Sequence, residues 1–261
     1  MTASADEVTV RRDGGVVTIE LSAPQRLNAV SSVMLDQLRS NLAKADADPT
    51  VRVVVVTGAG KAFCSGAHLQ LDVHRESDAP DTSTLASANQ VVTTLTGMQT
   101  IVICGLNGPA AGVGVSIALA CDLVLASEDA YFLLAFTRIG LMPDGGATAV
   151  VAASVGRSRA LQLALLADRL SASEAERVGL VWSTHPPEEL AGAVTQLADR
   201  IAAGPVAALG MTKRAVNAAT LGGLDDALRR EWDGQLVLLV GPEFAEGVDA
   251  FLGRRPADFA Q

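Results

Sequence analysis

The stretch from residue 101 to residue 122 constrains the fold of this chain more than any other. It opens with a short apolar run, Ile101 to Ile103, of the length expected for a buried strand, and turn formers at 107–109 end that strand. Gly112 and Gly114 follow, and because they carry no Cβ, another backbone segment can approach them closely. Small apolar residues then predict a buried helix, whose first N–H groups lack intrahelical partners and can hold a developing anion.

Two better-known glycine motifs fit this stretch poorly. A dinucleotide-binding fingerprint would need a third glycine at the position of Ile117. A nucleophile elbow over residues 114–118 would need a glycine at its end, where the chain has Ala118. On this stretch alone, a strand–helix crossover whose glycines serve only packing stays open.

Length, charge and cysteine usage limit the classes of protein to which this chain can belong. Its 261 residues are enough for one large domain, with or without a small appendage, and its net charge of −9 argues against nucleic acid as the main partner. No signal peptide is recognisable, and the longest apolar stretches are interrupted, so we expect no membrane span. Three cysteines in apolar surroundings, without metal-ligand spacing, predict a cytoplasmic protein and no metal: Cys64, Cys104 and Cys121.

Strands and helices alternate up to about residue 186, and helices alone follow. The predicted strands are a hairpin over 8–21 and runs at 53–56, 101–103, 122–126, 131–134 and 181–182. Predicted helices follow a Ser31 cap and span about 85–98, 147–155 and 158–167, with a capping box at 171–174. This order predicts an α/β core over residues 1–186 and a C-terminal helical region over 187–261.

Several stretches, taken together and in order, resemble the crotonase (enoyl-CoA hydratase/isomerase) superfamily. They are Leu27-Asn28-Ala29, the run from Gly60 to Ala67, the run from Asn107 to Asp122, the run from Ile139 to Gly146, and the ending from Phe251 to Phe259. The resemblance implies an α/β, ClpP-like spiral of ββα units with a C-terminal helical region that builds trimers. We therefore expect a homotrimer or a dimer of trimers. Apolar residues of the C-terminal helices favour it, because a small appendage can hardly bury them: Leu224, Leu228, Leu236 and Leu239.

The resemblance also implies an acyl-CoA substrate whose thioester enolate is stabilised by two main-chain N–H groups. By position in the motifs these groups belong to Ala67 and Val113. Preorganised donors at an oxygen that is charged only at the high point of the reaction contribute several kcal/mol. Coenzyme A is then part of the substrate, and no separate cofactor is expected.

The acidic residues around that oxygen decide the chemistry. Hydratases of this family use two glutamates to activate water, and the matching positions here hold Ser116 and Phe136, which do not exchange protons near neutral pH. Asp144 stands where double-bond isomerases of the family carry their acid, in a pattern close to the ring-1,2-epoxyphenylacetyl-CoA isomerase branch. We predict an isomerase with Asp144 as its base. The alternative for Asp144 is a helix cap or turn aspartate.

The remaining candidate residues are predicted to contact substrate. Phe251 and Arg254 match an aromatic and a basic residue that, in the family, reach a neighbouring subunit's CoA site. Lys61, together with Arg26 and Arg254, is a candidate phosphate contact. The full substrate-binding set is Gln25, Arg26, Ala29, Gly66, His68, Leu69, Gly112, Ser116, Phe136, Phe251 and Arg254.

Three alternative functions stay open at the level of the sequence. One is an enoyl-CoA hydratase that works with a different set of acids. Another is an acyl-CoA binder that keeps the fold without a working acid. The third is a serine hydrolase in which Ser116, Asp144 and His185 form a triad in that chain order.

Overall fold

The computed structural model describes residues 7–68 and 81–260, and its strands form two sheets. The strands are β1 (Val8–Asp13), β2 (Val16–Leu21), β3 (Val53–Gly58), β4 (Ile101–Leu106), β5 (Ala110–Ala111), β6 (Leu123–Ser127), β7 (Tyr131–Leu133), β8 (Leu170–Ser171) and β9 (Ser183–His185). The larger sheet has the order β1-β2-β3-β4-β6-β9, and the smaller one β5-β7-β8. In the larger sheet β1 and β2 pair antiparallel and the other neighbours pair parallel.

The helices surround the larger sheet and continue to the end of the described chain. They are α1 (Ser32–Ala47), α2 (Ser83–Gly97), α3 (Val113–Ala120), α4 (Ala147–Leu166), α5 (Ala172–Arg177), α6 (Pro187–Ala202), α7 (Val206–Thr220), α8 (Leu224–Leu238) and α9 (Pro242–Leu252). Two short 3-10 turns, Pro24–Arg26 and Ala135–Ile139, lie before α1 and before α4.

The first elements form as their sequence predicts. Gly14 takes a φ of +52° in the turn between β1 and β2, a conformation that favours glycine, and the hairpin pairs Val8 with Leu21. The four valines of β3 are all buried because helices cover both faces of this parallel strand. Ser31 caps α1, its hydroxyl accepting the N–H of Met34 at 3.2 Å.

The hydrophobic core lies on both sides of the larger sheet. On one side, fully buried leucines of α1 pack with α2 and α3. On the other side, Leu190, Val194 and Leu197 of α6 pack against Val53 and Ile103. The boundary predicted at residue 187 stays a prediction, and the first helix beyond it covers one face of the core sheet.

One predicted element is confirmed in detail and another differs from its prediction. A kink at Gly156, where φ is +75°, divides α4 into two helical segments, as predicted for 147–155 and 158–167. The last strand is predicted at 181–182, but it is β9, which begins one residue later. Val181 is buried in the core before this strand, and Trp182 is exposed. In the part of the chain that the structure describes, α4 is the one helix long and apolar enough to cross a membrane. Helices of soluble proteins also reach this length and composition, so this is weak evidence for a membrane span.

The last helices are docked to the core by specific contacts. The Lys213 ammonium of α7 is buried, pairs with Asp122 at 2.9 Å, and donates to the carbonyl oxygen of Leu95. Leu224 and Leu228 of α8 are buried within this chain. These two leucines therefore need no partner subunit, so they give no support for a trimer, and the assembly stays a prediction. An open groove of about 1130 Å³ lies beside α6 and α7.

Candidate active site

Two glycine-containing turns meet at the start of α3. Gly66 has a φ of +103° and Gly112 a φ of +52°, both in the region that favours glycine. A Cβ added to Gly112 would lie 3.6 Å from the Cα of Gly66, so the two turns are in contact. The Ala111 N–H also donates to the carbonyl oxygen of Cys64 at 2.9 Å. These contacts fix the spacing of the two turns.

Two buried or half-buried amide side chains hold the first of these turns in place. Asn28 is fully buried, and its Nδ2 donates to the carbonyl oxygens of Ala59 and Ala62 at 2.9 and 2.8 Å. Asn107 donates to the carbonyl oxygen of Gly60 at 3.0 Å and accepts the N–H of Gly58. The motifs that carry the family resemblance therefore also supply side chains that form hydrogen bonds with the main chain and shape the loop.

Gly114 brings the first turn of α3 against the other loop. A Cβ at this position would lie only 2.6 Å from the carbonyl oxygen of Cys64 and 2.8 Å from its Cβ. Any side chain would push the helix start away from the loop. The glycine is required here by close approach of two backbones.

The predicted N–H donors lie on these two turns. Gly66 C=O accepts from Val30 N–H at 2.8 Å, and His68 N–H donates to Val30 C=O at 2.9 Å. Because these groups face Val30, the Ala67 N–H between them points to the opposite side of the segment. Val113 is the first residue of α3, and its N–H has no intrahelical acceptor. Neither amide donates to another group within residues 7–68 and 81–260.

Asp144 lies in the loop before α4 and is partly buried. Gln235 of α8 donates its Nε2 to Oδ2 of Asp144 at 2.7 Å. Burial raises the pKa of Asp144 to about 7; the Gln235 hydrogen bond lowers it, and the nearby Glu231 carboxylate raises it. A carboxyl with such a pKa can both accept and return a proton near neutral pH.

Ser116 and Phe136, at the predicted glutamate positions, both belong to this site. The Ser116 hydroxyl donates to the main-chain oxygen of Asp144 at 2.8 Å. A Cβ at Gly145 would lie 3.1 Å from Cβ of Ser116 and 3.4 Å from Cγ2 of Val113. The Asp144 loop thus packs directly on the first turn of α3. Phe136 is buried, and its ring edge lies beside Gly112.

Two alternative roles for Asp144, helix cap and member of a hydrolase triad, are wrong. The cap residue of α4 is Gly146, and the N–H groups of Gly146 and Thr148 are accepted by the Glu231 carboxylate and not by Asp144. The hydrolase triad is not assembled, because Ser116 donates to a main-chain oxygen and His185 instead pairs with Ser183 at 2.9 Å. The carboxyl of Asp144 is therefore left for a role other than capping a helix or orienting a histidine.

The other predicted substrate contacts are spread more widely. Arg26 pairs with Glu7 at 2.7 Å and donates to the Ala29 carbonyl oxygen, so its charge is already partnered. His68 follows the Ala67 donor, and its Nδ1 is buried with no hydrogen-bond partner among residues 7–68 and 81–260. The remaining residues are exposed Gln25, Lys61, Phe251 and Arg254, buried Ala29, and Leu69, which lies outside the described residues.

Glu231 and Gln235 are the site residues that sequence reasoning missed. Both are almost fully buried, at 0% and 1% exposure, and they lie one turn apart on α8. The available signal was their spacing, since Leu224, Leu228, Glu231 and Gln235 share one face of an amphipathic helix. Two polar side chains among the core-facing positions of a helix indicate buried partners. No cluster of three metal-ligating side chains occurs in the described ranges.

The α/β core, the C-terminal helices and the paired glycine turns define a protein of the crotonase fold. The enoyl-CoA hydratase/isomerase family model matches residues 11–261, and the chain belongs to this family. It is 39% identical over 248 residues to the 1,2-epoxyphenylacetyl-CoA isomerase of Escherichia coli K12, covering 94% of this chain and 95% of that protein. Both the predicted fold and the predicted family are confirmed.

Relatives that are named enoyl-CoA hydratases resemble this chain to a comparable degree. The structure of an enoyl-CoA hydratase from Mycobacterium avium subsp. paratuberculosis has a TM-score of 0.90 and 45% identity, covering 98% of this chain and 99% of that one. A probable enoyl-CoA hydratase of Rhodobacter capsulatus is 37% identical, covering 94% of each chain. Acyl-CoA chemistry of the hydratase/isomerase type is common to all of them.

Proposed function

We propose that this enzyme moves the double bond of an enoyl-CoA from carbon 3 to carbon 2, with Asp144 carrying the proton. The observation that supports this role is the position of the Asp144 carboxyl. It lies in a loop packed on the first turn of α3, in surroundings that raise its pKa to about 7. A base is most effective when its pKa is near the working pH.

The proposed reaction needs one base and one pair of N–H donors. The Asp144 carboxylate takes a proton from Cα, and the electrons of that C–H bond pass into a dienolate. The dienolate oxygen rests between the N–H groups of Ala67 and Val113, which bind the charge only while it exists. Protonated Asp144 then returns the proton to Cγ, and the double bond lies between carbons 2 and 3. Atoms and charge balance without a further reactant.

Hydration is disfavoured by the groups at the two glutamate positions. Phe136 is apolar, and Ser116 uses its hydroxyl on the main chain of Asp144. Neither can activate a water molecule as a glutamate does. The proposal extends to an acyl-CoA substrate that brings its own coenzyme A, and to assembly in the cytoplasm as a homotrimer or a dimer of trimers. The name of the Escherichia coli relative supports an isomerase.

An enoyl-CoA hydratase with Asp144 as its one acid is the second candidate. The names of the Mycobacterium avium and Rhodobacter capsulatus relatives favour it. Both reactions pass through a thioester enolate. The second candidate differs from the first only in that water is added to the double bond.

The two candidates separate in one assay of the wild-type enzyme. We would offer a 3-enoyl-CoA, a 2-enoyl-CoA and epoxyphenylacetyl-CoA in parallel and identify the products by mass. The proposal predicts an isomer of unchanged mass from the 3-enoyl-CoA, and hydration of the 2-enoyl-CoA at least about 100-fold slower, as expected without a positioned acid–base pair. Efficient addition of water would favour the hydratase. Binding of all three esters without turnover would leave only an acyl-CoA binder.

A further inference from the structure

Helix α8 of the C-terminal region contacts the loop of Asp144 through two buried polar side chains. Gln235 and Glu231 lie one turn apart on the face of α8 that points to this loop. The approach of the helix is close, because a Cβ at Gly146 would lie 2.9 Å from Cδ1 of Leu224. Such packing leaves little freedom for the loop to move relative to the helix.

Gln235 links the Asp144 carboxyl to the main chain of its own loop. Its Nε2 donates to Oδ2 of Asp144 at 2.7 Å and to the carbonyl oxygen of Met142 at 2.9 Å. Both partners are acceptors, so the network fixes which end of the amide faces the carboxyl. Oδ1, the other oxygen of Asp144, has no partner among the residues that the structure describes.

Glu231 holds the other end of the same loop. Its carboxylate accepts the N–H of Gly146 at 2.6 Å and both the N–H and the hydroxyl of Thr148, at 2.9 and 2.5 Å. These are the first N–H groups of α4, which have no intrahelical partner. The two side chains of α8 therefore fix the loop on both sides of Asp144.

We propose that Gln235 is a positioning residue for the base: by occupying Oδ2 it leaves Oδ1 of Asp144 to carry the proton, while Glu231 fixes the loop that aims it. This inference rests on the proposed role of Asp144. It also gives α8 a place in the chemistry of its own subunit, in addition to any role in assembly.

The two residues act on Asp144 with opposite electrostatic signs. The Gln235 donor stabilises the ionised carboxylate and lowers the pKa of Asp144, whereas the Glu231 charge raises it. Arg230 is the charged group that acts on Glu231 from α8, and Ser116 and Phe136 contribute no charge from α3 and the 3-10 turn. A merely structural residue would not shift the pH dependence of the reaction in a predictable direction.

The test uses three variants of the full chain and the pH profile of isomerisation. Gln235→Met keeps the length of the side chain but removes the donor, and Glu231→Gln removes the charge but keeps an acceptor. Asn217→Leu is the control, because the half-buried amide of Asn217 also donates to a carbonyl oxygen, that of Thr96, away from the site. The Km for the CoA ester and the melting temperature are measured for each variant.

The expected shifts have opposite directions. Gln235→Met should lower kcat about 10-fold at neutral pH and move the acid limb of the profile up by about one pH unit, since a hydrogen bond to a charged group is lost. Glu231→Gln should move the acid limb down. Asn217→Leu should lower the melting temperature similarly and leave the profile unchanged. Km should stay within about twofold in all three, because the interaction acts on the base and not on ester binding.

An unchanged profile in Gln235→Met, in an enzyme that Asp144→Asn inactivates, would overturn the inference and keep the proposed function. Normal isomerisation by Asp144→Asn would instead overturn the proposed function. Gln235→Asn, whose shorter side chain cannot span the same distance, gives a second reading if Gln235→Met folds poorly. Collapse of both variants while Asn217→Leu stays folded would make Gln235 a structural residue and contradict the proposal.

Discussion

The two halves of the candidate site present different kinds of chemical group. One half consists of main-chain N–H groups on turns at 66–67 and 112–113, held by glycines and buried amides. The other half consists of side chains, Asp144 with Gln235 and Glu231 behind it. Because main-chain donors do not depend on residue type, substitution should leave the first half intact wherever the backbone keeps its path. The second half should respond to single side-chain changes.

The largest effect is expected from Asp144→Asn. It keeps the shape of the side chain but removes the proton acceptor, and loss of a positioned base lowers rates by about 100- to 10,000-fold. The steady-state rate of 3-enoyl-CoA isomerisation measures this. Binding of CoA esters and the melting temperature should remain near those of the wild type, and a large fall in either would mean that the loop, not the base, was lost.

In the main-chain half, the most damaging change is expected to be Gly114→Ala. The new Cβ would lie 2.6 Å from the carbonyl oxygen of Cys64, so helix and loop must separate. Overpacking of this kind costs about 1–3 kcal/mol and moves the Val113 N–H. Denaturant unfolding measures the loss of stability, and turnover should fall with it.

Gly192→Ala is the matched control for that change. Gly192 lies in α6 with nothing within 4 Å of an added Cβ. The same substitution should therefore stabilise the protein by about 0.5–1 kcal/mol, since alanine favours a helix over glycine. Equal effects of the two substitutions would contradict the close-approach argument.

The free energy of unfolding should depend on pH through Asp144, the titrating residue of the side-chain half. The pKa of Asp144 rises from 3.8 to about 7 on folding, so the folded chain binds a proton that the unfolded chain has released between these values. The free energy of unfolding should therefore fall as pH rises from about 4 to about 7, by on the order of 1–3 kcal/mol. Chemical denaturation across this range measures the slope. Asp144→Asn should flatten it, and an unchanged slope would remove Asp144 as its source.

The smallest effect is expected from Ala67→Ser. The role proposed for Ala67 uses only its N–H, which serine also has, and its side chain is only partly buried. The isomerisation rate should stay within about threefold of the wild type, as for substitutions away from packed features. A loss near that of Asp144→Asn would mean that the side chain at 67, and not the amide, performs the chemistry.

The sequence carried more information about the main-chain half than about the side-chain half. Glycines and turn formers act within a few residues, so Gly66 and Gly112 could be predicted from local pattern and family resemblance. Asp144 could be located in the same way. Gln235 lies 91 residues from Asp144, and the docking of α8 that unites them depends on packing between distant segments.

Local pattern succeeded at one point of the fold and failed at another. The predicted break between helices over 147–155 and 158–167 is present as the kink at Gly156, because a φ of +75° is a conformation that glycine adopts readily. Val181-Trp182 is predicted as the last strand, but β9 begins at Ser183 and Trp182 lies exposed before it. There tertiary contacts, and not local preference, decided the outcome.

Solvent deuterium exchange tests the central claim most directly. A 3-enoyl-CoA is incubated with the enzyme in deuterated buffer, and deuterium at Cα and Cγ is followed by NMR. We predict that the wild type exchanges the Cα proton and forms the 2-enoyl-CoA, and that Asp144→Asn binds the ester but exchanges neither position. Exchange at the wild-type rate in Asp144→Asn would contradict the assignment of Asp144 as the base.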